Sequence, residues 1–330
     1  MTDVFLRKYS LTISNNTEVI EKIKQEPIIS PVFVGGVSPK RATTNPEDVL
    51  TVAAGTNNRE YTDLHFEAEI EYGSKKKKNA TQDATIKIYN LSEDSQKFIK
   101  KHYFVFLKAG YSEDKELPLI FSGQIIKVST EKSGNDVITK LLCQDNGIPS
   151  GNIRECLSYA RGMTYLDIIQ DMLNRLANKG IPTGHFIFNP PFRNDKIIRK
   201  VESGYVSFGY LVKEIMELCE AIDYRAYILL GKIYVEPISL PETVGVVEIS
   251  EDDIKGSIRP EDDGSSKKLG STEQTSGIKV DLFLNGNISP ERFVKVLEGP
   301  YAGTYKVTEV KHRLSFEGNS WDTEISCTKG

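Results

Sequence analysis

Two stretches of the sequence, residues 84–143 and 277–327, repeat one pattern of alternating apolar and polar positions. In the first stretch Ile86 and Ile88 alternate with threonine, lysine and tyrosine, and residues 278–284 show the same period of two. Such alternation predicts a strand with one buried face. Both stretches then pass through a break containing asparagine and serine into a second apolar run. We therefore predict that the chain carries one small β-module twice.

Each predicted copy closes with a hairpin. In the first copy residues 121–128 lead to a turn at 132–135, and the chain returns along 137–143. In the second copy the turn lies near residues 317–319, and Trp321 begins the returning strand, where we expect it to fill a core or an interface. A chain with one module in two copies is a natural candidate for a symmetric ring.

Between the two β-stretches the periodicity becomes helical. Residues 165–176 place apolar side chains on one face, and Thr164 with Asp167 resembles a capping box. A second helix is predicted to begin near Ser207, followed by a hairpin over residues 224–236. These signals predict an α+β domain in the middle of the chain.

Two segments interrupt this order. Residues 14–60 are rich in Pro, Gly and Asn, and we interpret them as an insertion between a first strand at 4–13 and the next at 61–71. Residues 251–276 combine paired charges with glycine and serine, which predicts a flexible loop.

The insertion at residues 14–60 holds apolar pieces that its own composition cannot bury. We predict that this arm grips a neighbouring molecule through Ile28, Val32 and Phe33, with residues 49–50 contributing. A second candidate for partner binding is the run Lys75, Lys76, Lys77 and Lys78, which lies between two alternating segments and is expected at a hairpin tip. Such a run is either a solvated tip or a patch that docks on an acidic neighbour.

Composition narrows the classes of function. The chain of 330 residues has a formal charge of −4, which argues against binding nucleic acid by neutralising phosphates. The sequence contains no apolar run of about 20 residues, and its start lacks a signal-peptide core, so we expect folding in the cytoplasm. The four cysteines are widely spaced, and we expect Cys143 and Cys327 to be small buried side chains rather than disulfide partners.

Motifs for chemistry are missing from the sequence. The four histidines are scattered, and no nucleophile, nucleotide-binding or metal-ligand signature accompanies them. The acidic residues at 251–253 lack the fixed groove that paired catalytic carboxylates need. We predict no catalytic residues, no cofactor and no metal.

Five short stretches resemble the baseplate hub proteins of phage tails and related contractile injection machines. They are IKIYNLS at residues 86–92, LKAGY at 107–111, IFSGQ at 120–124, YKVTEVKH at 305–312 and WDTEI at 321–325. The resemblance implies an α+β chain, predominantly antiparallel β, in which two related tube-type β-barrel modules flank a small α+β domain. The implied modules span residues 1–150 and 242–330, and the middle domain spans 151–241.

The resemblance also implies a function. Three subunits with two modules each would form a pseudo-sixfold ring that joins a sixfold tail tube to a threefold spike. The implied partners are the tail tube protein, a spike or tip protein, and a baseplate wedge or tape-measure protein. The implied location is the virion tail baseplate, with duplex DNA passing through the ring without tight binding and with no insertion into a membrane.

Two other interpretations stay open at this point. One is a cell-wall hydrolase associated with a tail, although no lytic domain fits in the remaining length. The other is a carbohydrate-binding or adhesion module built on β-sandwiches, which exposed aromatic clusters on one loop face would favour.

Overall fold

A computed structural model describes residues 6–15, 49–54, 64–73, 83–145, 153–239, 246–262 and 276–329. The chain divides into two compact units. The first contains the described residues of Met1–Asn15, Ile29–Gln144 and Gly245–Gly330, and the second contains those of Asp145–Val244. Both predicted β-stretches therefore belong to the first unit.

The described residues form a fold made mostly of antiparallel strands with few helices, so the predicted α+β class is confirmed at this level. The strands are β1 Arg7–Ser14, β2 Val49–Ala54, β3 Phe66–Tyr72, β4 Asp83–Tyr89, β5 Phe104–Tyr111, β6 Leu119–Ser133, β7 Asp136–Asp145, β8 Leu157–Tyr159, β9 Thr183–Phe186, β10 Tyr205–Ser207, β11 Tyr224–Leu229, β12 Lys232–Pro237, β13 Val247–Ile249, β14 Ile254–Asp262, β15 Ser276–Phe283, β16 Phe293–Val296, β17 Gly303–Ser315 and β18 Trp321–Lys329. The helices are α1 Glu93–Phe98, α2 Tyr165–Asn178 and α3 Leu211–Ala221, with 3-10 turns at Asp195–Ile198 and Glu251–Asp253.

The first unit is built on one sheet of 13 strands. Its hydrogen-bonded order is β14-β15-β18-β17-β3-β4-β7-β6-β5-β1-β2, with β16 also on β17 and β13 on β16. The order β3-β4-β7-β6-β5 therefore recurs as β14-β15-β18-β17-β16. The pairing of β17 with β3 joins the two halves edge to edge.

The two halves also share their register. Ile88 stands opposite Thr139 in the first half, and Leu282 stands opposite Thr323 in the second. Four residues further along the returning strand, each half carries a buried cysteine in the same position, Cys143 and Cys327. The alternation predicted from sequence thus corresponds to strands with matched inward faces. Each inward face is buried, and it includes Phe66, Ile70, Ile86, Ile88, Leu141, Val280, Leu282, Trp321 and Ile325.

The predicted hairpin turns are confirmed. Gly134, in the turn between β6 and β7, has φ +63°, a left-handed conformation that glycine adopts without a Cβ penalty. The turn between β17 and β18 lies between Ser315 and Trp321, and Trp321 is buried as predicted. Cys143 and Cys327 are free and buried, also as predicted.

The prediction that residues 14–60 form one insertion without a strand is wrong at residues 49–54, which form β2. Ser14 is the last residue of β1, and β2 pairs antiparallel with β1 so that Ile13 stands opposite Leu50. Val49 and Leu50 are therefore half-buried in the sheet of their own chain. The short strand escaped notice because the run VLTVAA shows no clear alternation, and glycine, proline and asparagine surround it.

The predicted flexible loop at residues 251–276 is also wrong in its first half. Residues 251–253 form a 3-10 turn, and β14 pairs antiparallel with β15 over the residues that follow. The strand looks like a loop in sequence because it lies at the sheet edge, where most of its side chains are exposed and polar. Residues 263–275 lie outside the described part of the chain.

The second unit packs two helices on a small sheet. Thr164 caps α2: its hydroxyl oxygen accepts from the Asp167 N–H at 3.1 Å, and the Asp167 carboxylate accepts from the Thr164 N–H at 2.9 Å. The predicted capping box is therefore confirmed. The three-stranded sheet has the order β11-β12-β9, and the pair β8 and β10 lies apart from it. The buried core residues include Ile168, Met172, Leu176, Leu211, Ile215, Leu218, Tyr224 and Val235. None of the helices in the described residues is long and apolar enough to cross a membrane.

Candidate functional site

Most of the residues predicted to bind partners lie in segments outside the described part of the chain. Ile28, Val32 and Phe33 lie outside the described residues, and so do Lys75, Lys76, Lys77 and Lys78. The strands on either side of the lysine run, β3 and β4, do pair antiparallel. The partner-binding role of Ile28, Val32, Phe33 and the four lysines remains a prediction.

The described residues show a different candidate surface, the outward face of the 13-stranded sheet. On β3 the exposed or half-exposed Glu67, Glu69 and Glu71 alternate with the buried Ala68 and Ile70. The same alternation on the neighbouring strands places lysine, arginine, aspartate and glutamate side by side across the sheet. We call this surface the charged face.

Ion pairs connect neighbouring strands across the charged face. They run across six adjacent strands, from β14 to β4: Arg259 with Asp281 at 2.7 Å, Lys279 with Glu324 at 2.6 Å, Arg313 with Glu324 at 2.8 Å, Lys311 with Glu71 at 2.7 Å and with Glu69, and Lys87 with Glu67 at 2.9 Å. Cross-strand pairs of opposite charge stabilise neighbouring strands. Among the described residues, these cations of the face are therefore paired with carboxylates of the same face.

The pKa directions on this face agree with such pairing. Burial acts to raise the pKa of Glu67, but the hydrogen bond and the charge of Lys87 outweigh it and leave that pKa lowered. The pKa of Glu324 is likewise lowered, because Lys279 and Arg313 outweigh the effect of burial. Both carboxylates are held in the charged form at neutral pH.

The join between the halves lies beneath this face. The first part of β17 pairs with β16 through residues 303–306, and the last part pairs with β3 through 310–315. At the join His312 is buried, and its Nδ1 lies 2.9 Å from the Thr323 hydroxyl. That hydroxyl accepts from the Asn285 N–H at 2.9 Å, so its own proton is free to donate to a neutral histidine. Burial lowers the pKa of His312 to about 4.

Arg7 holds the turn of the β17–β18 hairpin against the first half. Its Nη1 donates to the carbonyl oxygens of Ser315 at 2.7 Å and Phe316 at 3.3 Å, and to that of Gly318. The guanidinium carbon lies 5.5 Å from the ring centre of Trp321. Three carbonyl acceptors around one permanent charge make this a clasp between sequence positions that are far apart.

The corresponding hairpin of the first half is exposed. In β6 the residues from Ile126 to Ser133 are exposed except for Val128, which is half-exposed. At the start of β7, Asp136 is exposed and Val137 half-exposed. One hairpin tip is therefore docked by Arg7, and its counterpart is mostly exposed. At the start of β7 the Asn90 side chain donates to the Asp136 carboxylate and accepts from the Val137 N–H, both at 2.9 Å.

A sequence signal for the charged face exists but was missed. Glutamate recurs at positions 67, 69 and 71, and Lys311 and Arg313 have the same spacing. Charges of period two mark the solvated face of a strand. Within the described residues, no group of three or more histidine, cysteine or acidic side chains is arranged so that it could hold a metal ion.

No protein-family model matches the sequence, and no curated protein matches it. Solved structures do match. The tail protein from Neisseria meningitidis MC58 is 11% identical with a TM-score of 0.50, and the match covers 80% of this chain and 91% of that one. The 43 kDa tail protein of prophage MuSo2 from Shewanella oneidensis is 9% identical with a TM-score of 0.52, covering 82% and 93%. At this identity the likeness is one of fold, and the predicted resemblance to phage tail proteins is confirmed at that level.

Proposed function

We propose that this chain is the structural hub of a phage or phage-like tail, a trimeric ring that adapts a sixfold tail tube to a threefold spike. The observation that carries the proposal is the repeated strand order. Two halves with one pairing order and one register, joined edge to edge by β17 and β3, can supply two similar positions per subunit. Three subunits then supply six. The fold likeness to two tail proteins supports a place in a tail.

Each half would act as one tube-type β-barrel module, and the second unit would provide the threefold features that face the spike. A sixfold neighbour would meet the six similar modules. A threefold neighbour would meet the three copies of the second unit, which has no counterpart in the repeat. The tail tube protein and a spike or tip protein are the partners that such a mismatch requires.

We place the charged face along the channel through which duplex DNA passes. The pairing of Lys311 with Glu69 and Glu71, and of Arg313 with Glu324, supports this placement. Phosphate binding grows with every cation that releases counterions from DNA. Cations already paired with carboxylates on the same face bind phosphate weakly, so DNA would slide rather than stall.

Imaging the purified protein by negative-stain electron microscopy tests the proposal. We expect threefold rings with a central hole. Monomers at every concentration tested, or closed assemblies without threefold symmetry, would reject the hub.

The proposed role is not enzymatic. Purified protein should leave bacterial cell walls intact in zymograms. Clearing that disappears when a single acidic residue is replaced would instead support the cell-wall hydrolase.

A further inference from the structure

Strand β6 uses only part of its length for pairing with β5. Residues 119–124 pair with β5, and the rest of the strand, residues 126–133, pairs with β7 alone among the described residues. One edge of this second part therefore presents free backbone groups. We call residues 126–133 the β6 extension.

Strand β17 shows what such an extension can do. Its first part pairs with β16 as β6 pairs with β5, and its last part pairs with β3 of the other half. In the second half the extension is thus occupied, and its partner is the outer strand of a neighbouring half.

The outer strand equivalent to β3 is β14. It pairs with β15 as β3 pairs with β4, and it ends the sheet, so its other edge is free among the described residues. Among its described residues, the first unit therefore has one unpaired extension and one outer strand with an unpaired edge. These are the two elements that meet at the internal join.

The shared register aligns the two joins residue by residue. Arg313 stands opposite Asp322, one position before Thr323. With Gly134 and Asn135 as the turn between β6 and β7, Glu131 stands opposite Ile138, one position before Thr139. Glu131 therefore occupies the place of Arg313.

The same comparison identifies the partner of Glu131. Glu69 stands opposite Thr85 on β4, and Arg259 stands opposite Lys279 at the matching place on β15. Since Arg313 stands opposite Glu69 at the internal join, Glu131 would stand opposite Arg259. Both pairs therefore join an acidic residue to a basic one. In the internal join the basic residue lies on the extension, whereas in the proposed join it lies on the outer strand. Glu131 is exposed, and the Arg259 side chain is 54% exposed although it pairs with Asp281.

From this match, and resting on the proposed hub function, we propose that copies of this chain join head to tail, with the β6 extension of one copy pairing antiparallel with β14 of the next. The inter-subunit join repeats the internal join of β17 with β3. A head-to-tail contact closes into a ring when its rotation is a simple fraction of a turn. If the rotation between neighbouring chains equals the rotation between the two halves of one chain, three chains supply six equivalent positions.

Pro260 limits what this edge accepts. It lies at the position of Ile70 in the internal join, and proline lacks a backbone donor. The join between copies would therefore be weaker than the internal one, and charge pairing would carry more of its specificity. Proline and charges on an edge also discourage pairing with unrelated strands.

Cross-linking tests the join. A variant with Cys156→Ser, Glu131→Cys and Arg259→Cys removes the exposed native cysteine and leaves three buried ones. A short bis-maleimide should convert it into covalent trimers, whereas a mixture of the two single-site variants should stop at dimers. Asp136→Cys combined with Arg259→Cys is the matched control, because Asp136 lies across the turn on β7, and it should give no cross-link. Absence of cross-links from the first variant would overturn the proposed join.

A charge exchange gives a second test by native mass spectrometry. Glu131→Arg and Arg259→Glu should each weaken association by about tenfold or more, because like charges would face each other. Combining both should restore it. Trimers unaffected by these changes and without cross-links would reject the join and leave the hub standing. Cross-linked dimers that never close into trimers would support the join and reject the ring.

Discussion

The two hairpin tips of the first unit have the same place in the repeated strand order and opposite environments. The β17–β18 tip is docked by Arg7 and covers the buried Trp321, whereas the β6–β7 tip is exposed. Their sequences differ accordingly: the position of Trp321 is filled by Val137 in the first half. A repeated module can thus keep one backbone arrangement while its side chains prepare one copy for a contact within the chain and the other for solvent or a partner.

The largest difference between the tips should appear on truncating these equivalent side chains. We expect Trp321→Ala to destabilise the first unit by about 3–5 kcal/mol, because a fully buried indole leaves a large cavity. Val137→Ala, at a half-exposed position, should cost less than about 1 kcal/mol. Urea unfolding of both variants measures the contrast. Equal costs would show that the two tips are not different in packing.

Lowering the pH should destabilise the internal join of β17 with β3, because His312 lies buried there. Its folded pKa of about 4 lies below the ordinary value of 6.5, so the unfolded chain takes up the proton more readily. The contribution of neutral His312 to the free energy of unfolding is therefore fully present above pH 6.5 and is lost as the pH falls toward 4. The expected loss is about 2–3 kcal/mol at pH 4.5. Glu67 and Glu324, whose pKa values are lowered from 4.5, add losses only in more acidic solution.

The control for this pH dependence is His312→Gln. Unfolding free energies measured between pH 7 and about 4.5 should fall less steeply for this variant than for the parent chain. Identical slopes would mean that His312 is not the group that titrates.

The clasp should have a smaller effect than the buried residues. Arg7→Ala removes the charged donor to the carbonyl groups of Ser315 and Phe316, which we expect to cost about 2 kcal/mol. Hydrogen exchange should locate the loss in the β17–β18 turn. Lys127→Ala on the exposed β6 extension is the control and should change stability by less than about 0.5 kcal/mol. Unchanged protection of the turn in the Arg7 variant would show that the clasp does not hold it.

The smallest effect on stability is expected from the two equivalent charged residues, Arg313 and Glu131. Arg313→Gln loses the ion pairs with Glu324 and Asp322 and should cost up to about 1 kcal/mol. Glu131→Arg should leave monomer stability within about 0.5 kcal/mol. A large loss from Glu131→Arg in the isolated monomer would indicate that the β6 extension is docked within its own chain.

Local patterns predicted much of this fold. The alternation around Ile86 and Val280 identified the central strands of both halves, and Thr164 with Asp167 identified the start of α2. These signals depend only on neighbours in sequence. The edge strand β14 and the short β2 were missed, because their stability comes from pairing with distant strands rather than from their own composition.

The candidate surface was harder to predict for the same reason. Each of Glu69, Lys311 and Arg259 is an ordinary surface residue in sequence, and only the sheet order places them on one face. The partner-binding residues predicted from composition, among them Phe33 and Lys75, lie outside the described part of the chain and remain predictions.

The central claim is that one module, used twice per chain, builds the ring. A cryo-electron microscopy reconstruction of the assembled protein without imposed symmetry tests it directly. We predict three chains whose six halves superpose, related by rotations of about 60° both within and between chains. Halves that do not superpose, or a ring in which the step between chains differs from the step within one, would contradict the account.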